Sequence, residues 1–247
     1  MLLLHTDSLS NYGLHRIFHF AKEAGFDGVE LAINPKKLDT QNSAYLKLLC
    51  EETGVKIVAV QAPQNTNKKR MEISYKVAEA VGANMVTIQP CGYMDFGANG
   101  WIKENVPKLR LRGRMKIALM NVPDERVLGI LPKYAMTNLK DLREFHEVTL
   151  DVSNLVSRNI GPLDFYEKMR KNIVHMHLSN YRGEKDHTIL NDGRLPLESL
   201  LKKMKRDGYL GHFSVKVRPS ELHSGMEDAS VIKRLKDCKD FFEEYFV

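Results

Sequence analysis

Eight short apolar runs recur along the chain, and segments with helical periodicity separate most of them. The runs are Leu2–His5, Gly28–Ile33, Val55–Gln61, Met85–Gln89, Met115–Met120, Val148–Val152, Ile173–Leu178 and Phe213–Val217. In the segments between them, apolar residues return every three or four positions, as on one face of a helix. Strands separated by helices pair in parallel, and runs that are apolar on both faces are covered on both faces. The pattern therefore predicts an α/β fold with a parallel sheet.

The number of units decides between the two common parallel architectures. Eight units in 247 residues suit a (β/α)8 barrel, which typically has about 250 residues. An open doubly wound sheet would carry a Gly-rich phosphate-binding turn after its first strand, whereas residues Thr6–Asn11 contain no glycine. Neither a linker nor a shift in composition divides the chain. We therefore predict one domain, a single (β/α)8 TIM barrel over residues 1–247.

Glycines mark the expected ends of four helices. Gly25, Gly54, Gly82 and Gly208 each follow a helical segment and precede the next apolar run. Glycine adopts, without steric cost, the left-handed conformation that often terminates a helix. The four positions therefore predict C-terminal helix boundaries.

Composition excludes several classes of protein. The chain is 43% hydrophobic and 28% charged, which is typical of globular proteins and not of disordered or collagen-like ones. Three cysteines, odd in number and far apart, exclude a disulfide framework and the paired spacing of a structural zinc site. The sequence shows neither a signal-peptide pattern nor an apolar run of about 18 residues, so we expect a cytoplasmic protein with no membrane partner.

The basic residues exceed the acidic ones by six. This balance suits an anionic ligand without requiring one. The basic runs, of which Lys108–Lys116 is the longest, are interpreted as solvated faces, and nucleic-acid binding is disfavoured but stays open. Because Lys108–Lys116 precedes a strand, we expect it at the end of the barrel opposite the active site, in a role that the sequence leaves undecided.

A polar residue stands near the end of every predicted strand. In a (β/α)8 barrel the active site is built at the C-terminal ends of the strands. In chain order these residues are His5, Glu30, Gln61, Gln89, Asn121, Asp151, His177 and Lys216. Because polar groups are costly to bury without partners, we take this ring as the candidate binding site.

Six segments carry a resemblance to a known family. They are residues 25–31 (GFDGVEL), 60–63 (VQAP), 149–152 (TLDV), 173–180 (IVHMHLSN), 186–193 (DHTILNDG) and 208–215 (GYLGHFSV). In order and spacing they resemble the xylose isomerase-like superfamily of TIM barrels. That superfamily contains sugar isomerases, ketose 3-epimerases, inosose dehydratases, hydroxypyruvate isomerase and metal-dependent apurinic endonucleases. The resemblance implies chemistry on a sugar or sugar phosphate.

The resemblance also implies a divalent metal at the barrel mouth. In the epimerase-like members the ligands are a Glu ending strand five, an Asp ending strand six, a His ending strand seven and a Glu ending strand eight. Asp151 and His177 match two of these positions. Strand five offers Met120 and Asn121 instead, and strand eight offers Lys216.

The endonuclease-like members use further histidines, most of which this chain lacks. Gln61 and Gln89 stand on strands three and four in place of His, and Asn154 replaces a His that follows the strand-six Asp. His187, in the loop after strand seven, is retained. An apurinic-endonuclease-like repair activity is therefore the least favoured of the enzymatic interpretations.

The replacement of two family ligands limits how tightly a divalent metal ion can bind at the mouth. A hard divalent ion needs several carboxylates or imidazoles around it. A protonated lysine would repel a dication by about 8 kcal/mol at 4 Å with an effective dielectric of 20. We therefore expect either no cofactor or a weakly bound Mn, Zn or Mg ion held by Asp151, His177 and His187.

Three functional hypotheses follow. In the first, the protein is a sugar or sugar-phosphate isomerase or epimerase in which Lys216 replaces the charge of the metal, polarising a sugar carbonyl or binding an anionic substrate, while Glu30 or His177 moves a proton. Alternatively, a desolvated Lys216 forms a Schiff base. In the second, the barrel is non-catalytic and binds a small polyol, a sugar-like ligand or another protein, with Asp151 and Lys216 as a structural ion pair. In the third, a weak or relocated metal site uses Asp151, His177 and His187, with or without Glu30.

Four residues are predicted to contact the ligand. Gln61, Gln89 and Asn121 belong to the polar ring. Trp101 lies in the segment Cys91–Pro107, which is long for a strand-to-helix connection and is interpreted as a loop at the mouth. Its indole could stack on a sugar face or pack on the helix behind it. The substrate and the oligomeric state are left undecided by the sequence.

Overall fold

Every predicted apolar run forms a strand of one closed parallel barrel. The computed structural model describes residues 1–64, 67–113 and 115–247. The strands are β1 (Leu2–His5), β2 (Gly28–Ala32), β3 (Ile57–Gln61), β4 (Met85–Ile88), β5 (Lys116–Met120), β6 (Val148–Asp151), β7 (Ile173–Leu178) and β8 (His212–Val215). Around the barrel their order is β1, β8, β7, β6, β5, β4, β3, β2. The predicted (β/α)8 barrel is confirmed.

A helix follows each strand and covers the outside of the barrel. The helices are α1 (Leu14–Glu23), α2 (Ser43–Thr53), α3 (Lys68–Val81), α4 (Phe96–Arg112), α5 (Leu139–Phe145), α6 (Pro162–Met169), α7 (Leu197–Arg206) and α8 (Asp228–Phe246). Their apolar faces pack on the outer faces of the strands in one continuous hydrophobic cluster. Among the described residues, no helix is both long enough and apolar enough to cross a membrane.

Glycines end the helices as predicted. Gly54 and Gly82 are the C-caps of α2 and α3, both with φ of 73°. Gly25 and Gly208 lie one residue beyond the caps of α1 and α7, with φ of 75° and 67°. At these angles an L side chain would be strained, so glycine is the favoured residue.

The interpretation of Cys91–Pro107 as a mouth loop is wrong, because α4 begins at Phe96. Two glycines and Pro107 lower the helix propensity of this segment, which hid the helix. Asp95 caps it by accepting a hydrogen bond from the backbone N–H of Ala98 (3.0 Å). Burial of Ile102 and Val106 then stabilises the helix against the barrel. Tertiary packing thus overrides weak local propensity.

Helix α4 also absorbs much of the basic run. Lys108–Arg112 forms its last turn and a half, where cations interact favourably with the helix dipole. Lys116 begins β5, at the end of the barrel opposite the mouth, as expected. Arg114, within the same run, lies outside the described residues.

Two hairpins interrupt the regular alternation at the C-terminal end of the strands. The first pairs Arg126–Val127 with Leu131–Pro132 in the connection after β5. The second pairs Asn180–Arg182 with Lys185–Thr188 after β7. Both lie at the end of the barrel where the candidate site is built.

The barrel interior is divided along its axis into an apolar and a polar half. Leu3, Val58, Ala59, Met85 and Ala118 form a separate buried cluster inside the barrel, in the half nearer the strand N-termini. Side chains two residues further along a strand point to the same face. The inward positions beyond the apolar cluster are polar on most strands. The candidate site therefore lies in the half of the barrel nearer the strand C-termini.

Candidate functional site

The amine of Lys216 lies at the centre of the polar ring. Its Nζ donates hydrogen bonds to Asp151 Oδ2 (3.2 Å), His177 Nδ1 (3.3 Å) and Gln61 Oε1 (3.3 Å), and Met120 Sδ lies 3.8 Å away. These partners come from four different strands. An ammonium group has three protons to donate, and three oxygen or nitrogen acceptors surround it.

Below Lys216, Glu30 accepts hydrogen bonds from two histidines of β7. His175 Nε2 lies 2.8 Å and His177 Nε2 2.9 Å from Glu30 Oε2. The side chains of all three residues are fully buried. Since His177 Nδ1 accepts from Lys216, its Nε2 carries the proton that is donated to Glu30. A continuous line of hydrogen bonds therefore joins the amine of Lys216 to a buried carboxylate.

Strand register brings these groups to the same height. His5 is paired with Glu30 across β1 and β2, and Asp151 is paired with His177 across β6 and β7. His5 Nε2 lies 3.0 Å from Gln61 Oε1, the same oxygen that accepts from Lys216. Residues far apart in the chain thus form one connected network.

His187 closes the network from the hairpin after β7. Its Nε2 lies 3.2 Å from Asp151 Oδ2 and its Nδ1 lies 3.4 Å from Asp186 Oδ2. Arg218 Nε in turn donates to Asp186 Oδ1 at 2.8 Å. The side chains of His187 and Lys216 are 18% and 15% exposed, whereas that of Asp151 is fully buried. A molecule arriving from the mouth would therefore reach His187 and Lys216 first.

The neighbouring charges determine the ionisation of the carboxylates. Burial alone would raise the pKa of Asp151, but His187 and Lys216 hold it well below its ordinary value. Burial would likewise raise the pKa of Glu30, and its histidine neighbours lower it well below the ordinary range. Both carboxylates are therefore ionised at neutral pH.

The histidines divide into two kinds. Burial lowers the pKa of His5 to about 4, against the opposing effect of Glu30, and it also lowers the pKa of His175. For His187, burial would lower the pKa, but Asp151 and Asp186 raise it to about 9. At pH 7, His5 and His175 are neutral and His187 is an imidazolium.

The stability of the protein should therefore depend on pH through His187. Because its pKa in the folded state is raised above the ordinary value of 6.5, the stabilisation is complete below pH 6.5 and is lost as the pH rises to about 9. We expect the free energy of unfolding to fall over this range by on the order of 3 kcal/mol. Urea unfolding at several pH values measures it. His187→Gln should flatten the profile, and His19→Gln, on the exposed face of α1, should not.

The family of the chain is established by comparison with known proteins. A family model described as a xylose isomerase-like TIM barrel matches residues 18–238. The chain belongs to that xylose isomerase-like family. The resemblance noted from the sequence is thereby confirmed for the family and for the fold.

Relatives of this xylose isomerase-like chain are distant in sequence. An uncharacterized protein of Mycobacterium tuberculosis is 22% identical over 250 residues, covering 87% of this chain and 88% of the relative. A solved D-tagatose 3-epimerase-like protein has a TM-score of 0.74 at 19% identity, covering 98% of both chains. The D-psicose 3-epimerase of Clostridium cellulolyticum, solved with D-tagatose, has a TM-score of 0.74 at 12% identity, covering 99% of this chain and 98% of the other. At these identities the similarity establishes the fold.

Two sets of side chains in this xylose isomerase-like barrel have the atoms to hold a metal. Asp151 and His177, the positions that the resemblance assigns to ligands, approach to 3.5 Å between Oδ2 and Nδ1. His5, Glu30 and His177 form a second set whose donor atoms lie within 4.8 Å of one another. His177 belongs to both sets, and Lys216 Nζ lies against the first.

Of the four residues predicted to contact a ligand, Gln61 alone hydrogen-bonds to Lys216. Asn121 instead holds the end of β6, accepting from Asp151 N (2.6 Å) and donating to Asp151 O (2.9 Å). Gln89 is buried at the end of β4. These three side chains stay candidates for ligand contacts at the mouth.

The placement of Trp101 at the mouth needs correction, because the residue lies in α4 and not in a loop. Its indole lines a groove of about 550 Å³ on the outside of the barrel between α3 and α4, together with Tyr75 and Asn105. No residue of the Lys216 network lines that groove. The indole packs partly against the hydrophobic core, which is the alternative that the sequence left open.

Two parts of the network were not identified as functional from the sequence. His175 lies one layer deeper than the strand end and so falls outside the predicted polar ring, although its spacing of two residues from His177 places both side chains on the same face of the strand. The pair Asp186 and Arg218, which lies beside His187, joins the hairpin strand Lys185–Thr188 to the segment after β8. Their contact depends on the tertiary structure, so no local pattern indicates it.

Proposed function

We propose that this barrel is a sugar isomerase- or epimerase-type protein in which the ammonium group of Lys216 takes the place of the divalent metal. One observation carries the proposal. Lys216 Nζ lies 3.2 Å from Asp151 and 3.3 Å from His177, the two family ligand positions that this chain retains. The remaining two positions have lost their carboxylates.

The residues present do not fit a metal at this position. An ion bound to Asp151 Oδ2 and His177 Nδ1 would sit about 2.1 Å from each, in the space that Lys216 Nζ fills. At 4 Å and an effective dielectric of 20, the repulsion between an ammonium and a dication is about 8 kcal/mol. The ammonium group of a lysine is covalently attached to the chain, so it supplies a positive charge that cannot dissociate as a bound metal ion can. We therefore derive no step through a metal.

The chemistry proposed for Lys216 is that of a fixed hydrogen-bond donor. An ammonium aimed at a sugar carbonyl oxygen stabilises the negative charge that develops there as the adjacent carbon loses a proton. Asp151 Oδ1 accepts no hydrogen bond from the described residues. Because the Asp151 side chain is fully buried, receiving that proton requires this carboxylate to rotate toward the substrate.

Isomerisation is completed when Asp151 returns the proton to the former carbonyl carbon while the amine of Lys216, neutral after protonating the carbonyl oxygen, takes up the proton of the adjacent hydroxyl group. Epimerisation is completed when a second acid delivers a proton to the opposite face of the same carbon and the amine regains the proton that it gave to the oxygen. Neither route needs an oxidant or a reductant.

Glu30 and His177 act through Lys216 in this proposal. Both side chains are fully buried beneath the amine, so they have no direct path to a substrate at the mouth. When Lys216 protonates the carbonyl oxygen, its neutral amine is left hydrogen-bonded to His177, and Glu30 fixes the orientation of that imidazole. Near-neutral proton transfer of this kind needs positioned groups within hydrogen-bond reach.

A second candidate function is a non-catalytic barrel that binds a polyol or sugar-like ligand. It is favoured by the three internal acceptors that already use the protons of Lys216. A donor satisfied by its own protein gains less from a substrate oxygen. In that case the pair Lys216–Asp151 acts as an internal cross-link between β8 and β6.

Exchange of carbon-bound hydrogen separates the two candidates. The protein is incubated with D-tagatose, D-allulose or D-fructose in D2O containing EDTA, and deuterium at the carbon next to the carbonyl is followed by NMR. We expect exchange that survives EDTA and falls at least about 100-fold in Lys216→Met, since removing one stabilising donor typically costs that much. Lys185→Met, on the exposed hairpin strand, is the matched control. Exchange that requires added Mn²⁺, or binding of a sugar without exchange, would contradict the proposal.

A further inference from the structure

The hairpin after β5 presents two large apolar side chains at its tip. Leu128 is 92% exposed and Ile130 is 75% exposed, on either side of Gly129. The strands that they connect, Arg126–Val127 and Leu131–Pro132, are only two residues long. Neither tip residue therefore contributes appreciably to the hydrophobic core of its own chain.

The backbone of this turn makes the presence of leucine more unusual. Leu128 has φ of 52° and Gly129 has φ of 71°. Consecutive residues with positive φ in a hairpin turn strongly favour Asn, Asp or Gly. For another L residue the left-handed conformation costs roughly 1–2 kcal/mol. Folding gains nothing from an exposed Leu here, so a contact outside the chain is the physical reason that remains.

Beside the tip lies an apolar cleft of about 540 Å³. It is bounded by the base of the hairpin and by the segment that precedes α4, and its lining includes Tyr93, Met94, Val127 and Leu131. Backbone hydrogen bonds hold the two walls together, from Tyr93 N to Lys133 O (2.9 Å) and from the Ala135 N–H to Cys91 O (2.9 Å). The cleft is thus a fixed feature with room for several aliphatic side chains.

Tip and cleft belong to one continuous exposed surface, which we call the hairpin patch. Its large apolar members, 44–92% exposed, are Tyr93, Met94, Phe96, Val127, Leu128, Ile130 and Leu131. Together their exposed fractions amount to several hundred Å² of surface, the same order as the roughly 800 Å² that one partner contributes to a standard protein interface. Patches of this size on a monomer mark an interaction site.

The charges around the hairpin patch have both signs. Asp95 and Lys133 line the cleft, and Asp124 and Arg126 flank the hairpin strand, where they form a 3.8 Å ion pair. A membrane surface or a nucleic acid would call for cations alone. The hairpin patch carries a projecting tip, a cleft and charges of both signs. Its features can therefore complement those of the same patch on a second copy of the chain.

We propose that the hairpin patch is a two-fold interface between two copies of this chain. Leu128 and Ile130 of each copy enter the cleft of the other, so that both copies use the same residues, as in an isologous dimer. Acidic and basic rim residues then face each other across the two-fold axis. Because the hairpin follows β5, the interface forms at the end of the barrel that carries the Lys216 network.

Sedimentation velocity over a concentration series tests the interface. We expect the wild-type chain to sediment as a dimer, and the double variant Leu128→Asn, Ile130→Asn to have a dissociation constant raised roughly 100-fold or more. The double variant should fold normally, because Asn suits the left-handed turn position. Leu210→Asn, 94% exposed near the opposite end of the barrel, is the control and should remain dimeric. A wild-type chain that is monomeric throughout the series, or a double variant that dimerises as tightly as wild type, would overturn the proposal.

Discussion

Replacing Lys216 by glutamate should convert the centre of the network into a metal site. Lys216→Glu removes the ammonium that lies between Asp151 and His177. It also supplies the strand-eight carboxylate that the epimerase-like members have. Two carboxylates and an imidazole that converge on one point are suitable ligands for Mn²⁺. The wild-type chain, with a fixed cation at that point, should not bind the ion there.

The expected effects are large and opposite in sign. In metal-free buffer, Lys216→Glu should melt well below wild type, since removing one partner of a buried ion pair costs about 3–5 kcal/mol. With Mn²⁺ at about 100 times its dissociation constant, binding stabilises by about 2.7 kcal/mol. For a chain of this size that raises the melting temperature by roughly 5–10 °C. Differential scanning fluorimetry with and without Mn²⁺ measures both effects.

Lys185→Glu makes the same change of charge on an exposed hairpin strand and serves as the control. It should melt like wild type and should not respond to Mn²⁺. If wild type itself is stabilised by Mn²⁺ as strongly as Lys216→Glu, the ammonium does not take the place of the metal, and the proposed function loses its basis.

Truncation of Glu30 should produce the second large effect. Glu30→Ala removes the acceptor of the Nε2 protons of His175 and His177 in a buried interior. His175 Nε2 retains Ser214 Oγ at 3.1 Å as a partner, so the His177 donor is the one left unsatisfied. Each buried donor left unsatisfied costs about 1–3 kcal/mol, and the missing side chain also leaves a cavity. We expect the free energy of unfolding in urea to fall by about 3–5 kcal/mol.

Two further variants make the Glu30 measurement specific. Glu30→Gln keeps the shape and one acceptor oxygen, so it should lose less than Glu30→Ala. Glu184→Ala, on an exposed turn, should change the stability by less than about 0.5 kcal/mol. A Glu30→Ala variant as stable as Glu184→Ala would show that the buried histidines do not depend on this carboxylate.

Apolar periodicity predicted all eight strands because each strand is covered on both faces by the barrel's own layers. Helix α4 escaped detection because Gly97, Gly100 and Pro107 weaken the local signal while packing against the barrel supplies the missing stability. The hairpin Arg126–Pro132 escaped for a similar reason, since two-residue strands carry no periodicity. A helix or strand with weak local propensity that is stabilised by tertiary packing cannot be identified from its own stretch of sequence.

The sequence by itself determined the barrel and the residues of its polar ring. Strand ends of a (β/α)8 barrel meet at one mouth, so a polar residue at each strand end is sufficient to predict a site. Only the tertiary structure decided how those residues divide their roles. It placed Lys216 Nζ between Asp151 and His177, buried Glu30 beneath them and assigned Asn121 to the backbone of β6. Hydrogen-bond partners and burial depend on distances between side chains of different strands. Those distances are set by strand order and register, and the sequence of a single strand does not contain them.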